Sequence, residues 1–137
     1  MALDNAHQTI AGVVLLTVIG IAYGGTFLLR VVRGAVPANG LQKSFFRAGH
    51  AHAGVLVILG LLTLLYMQLN EVGQPWSTLS FGVLAAAILM PAGFFLSVLG
   101  ADPQRPNRLI ALLWAGATCL TVGLASAGIG LIAAGAG

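Results

Sequence analysis

The sequence predicts an all-α membrane protein, a four-transmembrane-helix bundle that forms one domain over residues 1–137. Its composition is 58% hydrophobic and only 7% charged, and its mean hydropathy is +0.99. Such a chain has too little polar surface to cover a water-soluble fold. The apolar residues also fall into four long runs without the apolar–polar alternation of a transmembrane barrel, so we expect helices.

The four runs predict helices over roughly residues 9–32, 46–69, 78–100 and 107–134. Each is near or above the ~20 residues needed to cross ~30 Å of hydrocarbon. Turn-forming residues separate the runs at positions 34–40, 73–75 and 102–106. The first run follows a segment without basic residues, so we expect it to stay in the membrane as an anchor. Pro91 lies within the third run and is expected to kink that helix.

The distribution of positive charge predicts the orientation. Every lysine and arginine lies near one of two loops, the first between the first and second runs and the second between the third and fourth. With four spans, both loops fall on one side, which the positive-inside rule makes cytoplasmic. We therefore expect an N-out/C-out bundle with two short basic cytoplasmic loops. The basic residues are also expected to contact lipid headgroups or a partner protein. They are Arg30, Arg33, Lys43, Arg47, Arg105 and Arg108.

Two histidines near the start of the second run are the candidate cofactor-binding residues. Ionisable groups close to hydrocarbon are functional candidates, and His50 and His52 are separated by one residue. Residues two apart on a helix point about 200° away from each other, so the pair is not expected to share one metal. One of them would face the bundle and coordinate haem or metal. Interfacial placement, a proton-linked role and a partner contact are the alternatives. His7 is expected to be a solvated terminal residue.

Small residues predict where helices approach closely. Gly20 and Gly24 are four residues apart, Gly49 and Gly54 flank the histidine pair, and Gly93 follows Pro91. Small side chains at this spacing let transmembrane backbones come together. The five glycines and Pro91 are therefore predicted to lie where helices pack against each other, either within the chain or against another protein.

The sequence argues against several functions. Its three carboxylates, Asp4, Glu71 and Asp102, all lie in predicted loops or termini, so none is placed to relay protons or bind a cation at mid-membrane. No motif for a nucleophile, a phosphate site or acid–base catalysis is visible, so an enzyme is not expected. The six basic residues are not interleaved with aromatics, so nucleic acid is not an expected partner.

Three segments carry a resemblance: 45–54 (FFRAGHAHAG), 91–97 (PAGFFLS) and 106–110 (PNRLI). With them the chain resembles small four-helix integral membrane proteins of actinobacteria. The resemblance implies a multi-pass protein of the bacterial cytoplasmic (inner) membrane with four spans, and it implies no activity.

Three functions remain open from the sequence. The first is a non-catalytic membrane subunit or accessory protein that packs against a larger transport or respiratory complex. The second is a haem- or metal-binding membrane protein that uses His50 or His52. The third is a homo-oligomeric pore for small solutes. The expected partners are membrane lipids and other membrane subunits or further copies of the chain.

Overall fold

The computed structural model describes residues 4–136, and all regular structure in this range is helical. The helices are α1 (Asn5–Val32), α2 (Gly40–Leu69), α3 (Trp76–Ser80), α4 (Gly82–Leu96) and α5 (Ile110–Gly135). Four stretches are long and apolar enough to cross a membrane: α1, α2, the combined α3–α4 segment, and α5. The predicted all-helical architecture with four apolar helices of membrane-spanning length is confirmed at this level.

The ends of α1 are determined by local hydrogen bonds. Asp4 is the N-cap, and its carboxylate accepts from the backbone N–H of His7. At the other end Gly34 adopts a positive φ of 76°. The N–H groups of Gly34 and Ala35 donate to the carbonyls of Val31 and Arg30. This pair of hydrogen bonds is the Schellman motif, which ends a helix at a residue with a left-handed backbone. Glycine adopts that backbone conformation without steric cost.

Helix α2 begins at Gly40, earlier than the expected position near residue 46. A capping box explains the early start: Asn39 and Gln42 exchange side-chain and backbone hydrogen bonds of 2.9 and 3.0 Å. Lys43 therefore lies in the first turn of α2 rather than in the preceding loop, with Arg47 one turn further along.

The third membrane-spanning stretch is divided at Phe81, between the short α3 and the longer α4. Pro91, where a kink was expected, is buried inside α4, and the helix continues through it to Leu96.

The core of the bundle consists of α2, α3–α4 and α5, and α1 packs on its side. Helices α4 and α5 have the most extensive contact, and α2 packs against α4. Helix α1 packs chiefly against α2 and has a single buried residue, Val31. Val31 contacts Phe46 and Val98 at the end of the bundle that carries the basic loops, called the basic end below. The buried side chain of α1 thus lies at this end of the bundle.

Candidate functional site

The two predicted cofactor-binding histidines face different helices. The His50 ring lies against α1: a Cβ placed on Gly24 would be 3.7 Å from Nδ1, and one on Gly25 would be 3.6 Å from Nε2. The His52 ring lies against α4, with its centroid 4.9 Å from that of Phe94. The two rings therefore point in different directions from α2, as the helical spacing of the two residues predicted.

The surroundings of the histidines limit the metal chemistry available to them. Among residues 4–136 no group of three or more His, Cys, Asp or Glu side chains is close enough to hold a metal ion. Nδ1 of His52 lies 2.7 Å from the Ala48 carbonyl, so Nδ1 carries the proton and donates. Nε2 of the neutral ring is then the nitrogen with a free lone pair, as in metal-ligating histidines oriented by a carbonyl. His52 is better placed to be a single ligand than His50.

A large apolar groove lies between α1 and the core of the bundle. Its volume is about 590 Å³, and Thr17 is the one polar residue in its lining. The Thr17 hydroxyl donates to the Val14 carbonyl at 2.6 Å, so it offers no free donor to the groove. The groove exists because α1 packs chiefly against α2 and leaves the α4 face beside it uncovered. The residues that line it are Ile10, Val13, Val14, Thr17, Ile21, Ala53, Val57, Phe81, Leu84, Ala85, Ala87, Ile88 and Pro91.

His7 joins three helices near the end of the groove opposite the basic loops, contrary to the expectation of a solvated residue. Its side chain is only 19% exposed, and Nδ1 lies 2.8 Å from both carboxylate oxygens of Asp4. With the proton on Nδ1, Nε2 accepts from the amide of Gln68 on α2 at 3.0 Å. The His7 ring also packs near Phe81, with centroids 5.8 Å apart. The histidine thus connects the start of α1 to the end of α2 and to the α3–α4 junction.

The Asp4 carboxylate is stabilised in its charged form. The backbone N–H of His7 is the main cause of the lowered pKa of Asp4, and the hydrogen bond from the His7 side chain lowers this pKa further. A charged Asp4 caps α1 and accepts from His7 at the same time. The first turn of α1 and the contact with Gln68 therefore depend on one carboxylate.

A second cavity, called the basic cleft here, lies between α1 and α2 at the basic end. Its volume is about 240 Å³, and its lining consists of Leu28, Val31, Val32, Lys43 and Arg47. Lys43 and Arg47 are exposed and one turn apart on α2, with Arg47 Nε donating to the Lys43 carbonyl at 3.3 Å. The other four predicted headgroup-contact residues, Arg30, Arg33, Arg105 and Arg108, are exposed at the same end but do not line the cleft.

The two basic loops are joined by a set of hydrogen bonds that the sequence did not reveal. Asn39 Nδ2 donates to the Asp102 carboxylate at 2.7 Å and to the Pro103 carbonyl at 2.8 Å. Buried Gln42 donates to the carbonyls of Val98 and Gly100 at 3.1 and 3.0 Å. This polar clasp, made by Asn39 and Gln42, fixes the α4–α5 loop to the start of α2. The partners of Asn39 and Gln42 in this clasp lie more than fifty residues away in the sequence.

The predicted helix-packing glycines have different environments. Gly24 contacts His50, Gly49 lies against Phe94 and Phe95, and Gly93 lies against Leu113. By contrast, a Cβ on Gly20 or Gly54 would meet no atom within 4 Å. Glycines that the prediction omitted also mark close approach. They are Gly60, Gly82, Gly116 and Gly123.

No known protein family, curated protein or solved structure matches the chain. The class of protein is therefore defined by the fold alone, as an apolar four-helix protein with the composition of a multi-pass membrane protein.

Proposed function

We propose that this chain is a non-catalytic integral membrane subunit that packs against a larger membrane complex. A transmembrane helix of the partner occupies the apolar groove. The groove is the observation that carries the proposal. It is about 590 Å³ in volume, lined on three sides by helices, and almost entirely apolar. In a bilayer, helix association depends on close van der Waals packing, and atoms lining an unfilled space lose those contacts.

The lining of the groove favours a helix as its occupant. Ala53 on α2 and Ala85 and Ala87 on α4 contribute to it. Small side chains at such positions let a neighbouring backbone approach closely. Helix α1, whose one buried residue is Val31 near its last turn, forms the other wall. A partner helix would contact α1 and α4 together and fill the space between them.

The proposal includes an orientation and a location. Both basic loops lie at one end of the bundle, where the polar clasp joins them. The positive-inside rule makes that end cytoplasmic and both termini external. The inner membrane of an actinobacterium is the location that the sequence resemblance implies.

The orientation can be tested by thiol labelling. A single cysteine introduced at Arg105, in a Cys119→Ser background, should react with a membrane-impermeant thiol reagent only after the cells are opened. Labelling in intact cells would overturn the orientation.

Native mass spectrometry of the chain extracted gently from its own membrane tests the partner. We expect a stoichiometric complex for the wild-type protein and for Ala125→Trp, which alters an exposed α5 position. The same substitution at Ala85 fills the groove and should release the partner. The circular dichroism spectrum of this variant should match that of the wild type, which would show that the helices remain folded. A complex that survives Ala85→Trp unchanged would refute the groove as the docking site. A bare homo-oligomer would replace the subunit proposal with the pore.

The second candidate function is ligation of a cofactor by His52. It is favoured by the Nδ1 hydrogen bond to Ala48, which orients the ring and leaves Nε2 with a free lone pair. A haem protein would show a visible absorption band that is lost in His52→Ala and kept in His50→Ala. A colourless, metal-free protein purified from its own membrane would remove this candidate.

A further inference from the structure

We propose that the basic cleft is a binding site for one anionic phospholipid, with the phosphate held between Lys43 and Arg47 and an acyl chain lying along Leu28 and Val32. This goes beyond the subunit proposal, since the cleft and the apolar groove are lined by different residues. The sequence assigned headgroup contact to all six basic residues alike. The structure singles out two of them, because Lys43 and Arg47, and none of the other four, line the basic cleft with its apolar wall.

The charge of the cleft is not neutralised within the chain. Over residues 4–136 no lysine or arginine lies within salt-bridge distance of a carboxylate, and the close contact of a carboxylate with a basic side chain is that of Asp4 with His7. Asp102 is the acid at the basic end, and its carboxylate accepts from Asn39 rather than from a cation. An anion entering the cleft would therefore meet two positive side chains without a competing carboxylate.

The positions of the two cations suit a phosphate. Residues four apart on a helix lie on one face, about one turn from each other. The hydrogen bond from Arg47 Nε to the Lys43 carbonyl holds the arginine side chain along α2. Its terminal nitrogens can then donate to two phosphate oxygens, and the Lys43 ammonium acts as a point charge beside them.

The apolar wall points to a lipid rather than to a free anion. Val32 is 71% exposed at the end of α1, directly beside the two cations, and Leu28 lies one turn earlier on the same wall. A soluble phosphate would leave this wall in contact with solvent. A phospholipid matches both parts of the cleft, because its charged headgroup and its chains are joined in one molecule.

The test is native mass spectrometry of the full chain in nanodiscs containing phosphatidylglycerol and phosphatidylcholine. We expect one phosphatidylglycerol to remain bound to the wild-type protein. The double variant Lys43→Gln/Arg47→Gln should bind it about thirtyfold more weakly, from the energy per basic side chain near an anionic surface. The double variant Arg105→Gln/Arg108→Gln is the matched control. It removes the same charge from the same end and should retain the lipid.

Three results would overturn the proposal. Equal loss in both double variants would show a general attraction of the basic end for anionic lipid. Equal retention of phosphatidylcholine would show that the charges do not select the headgroup. Displacement of the lipid by millimolar inorganic phosphate would show an anion site without a role for the acyl chain. Because all four substituted side chains are exposed, the variants should fold as the wild-type protein does.

Discussion

Replacing Gly123 by alanine tests whether backbone contact between α4 and α5 holds the core together. A Cβ on Gly123 would lie 2.6 Å from the backbone nitrogen of Val83 and 3.0 Å from the carbonyl carbon of Gly82. Real Cβ atoms do not approach their neighbours this closely. Two of the three nearest atoms belong to the backbone, and the third is Val83 Cγ2 at 2.9 Å. A rotamer change cannot relieve the clash, so α5 must move away from α4.

The expected magnitude follows from two opposing effects. Overpacking a well-packed interior costs about 1–3 kcal/mol. Alanine is favoured over glycine in a helix by up to about 1 kcal/mol. Because the helix-propensity gain offsets part of the overpacking cost, we expect Gly123→Ala to lower the free energy of unfolding by up to about 2 kcal/mol, which raises the unfolding constant by up to roughly thirtyfold.

The matched control is Gly128→Ala on the same helix. A Cβ at Gly128 would meet no atom within 4 Å, so only the helix-propensity gain applies. The assay is reversible unfolding in mixed micelles with an increasing fraction of sodium dodecyl sulfate, followed by circular dichroism. If the two variants unfold at the same detergent fraction, the close contact between α4 and α5 is not what stabilises the core.

Three further changes test local parts of the structure. Gln42→Leu leaves the carbonyls of Val98 and Gly100 without their donor and should cost about 1–3 kcal/mol in the same unfolding assay, with Gln42→Glu recovering none of it. Gly34→Ala places a side chain at a φ of 76° and should cost about 1–2 kcal/mol, whereas a cost near zero would contradict the assigned helix end. The lowered pKa of Asp4 means that its capping contribution is complete above the unfolded value of 3.8 and is lost as the pH falls through the folded value. The protection of amides in the first turn of α1, measured as hydrogen exchange relative to the intrinsic rate at each pH, should therefore fall in acid, and Asp4→Asn should remove that loss of protection.

The sequence predicted what depends on composition and on local chemistry. The four apolar runs predicted four membrane-spanning stretches, since each run is long enough to cross a bilayer and a helix satisfies its own backbone hydrogen bonds. The opposite directions of His50 and His52 followed from helical periodicity alone. The start of α2 was placed too late because polar residues such as Gln42 and Lys43 were assigned to the loop. The Asn39–Gln42 capping box shows that they belong to the helix.

Contacts between distant parts of the chain were not predictable in the same way. Gln68 meets His7 because α1 and α2 are antiparallel neighbours with a particular offset, and neither residue carries a signal of that pairing. Gly82 and Gly123 face each other for the same kind of reason. Gly20 and Gly54 had the same local pattern as the true contacts and face open space. The apolar groove depends on where α1 packs, which no single run of sequence encodes.

Photo-crosslinking from inside the apolar groove is the most direct test of the proposed subunit role. A photoreactive amino acid would replace Ala85, with Ala125 on the exposed face of α5 as the control, and the protein would be irradiated in its own membrane. We predict one discrete adduct with a second membrane protein from position 85 and no protein adduct from position 125. Adducts with lipid alone at both positions would show that the bilayer fills the groove, and would contradict the proposal.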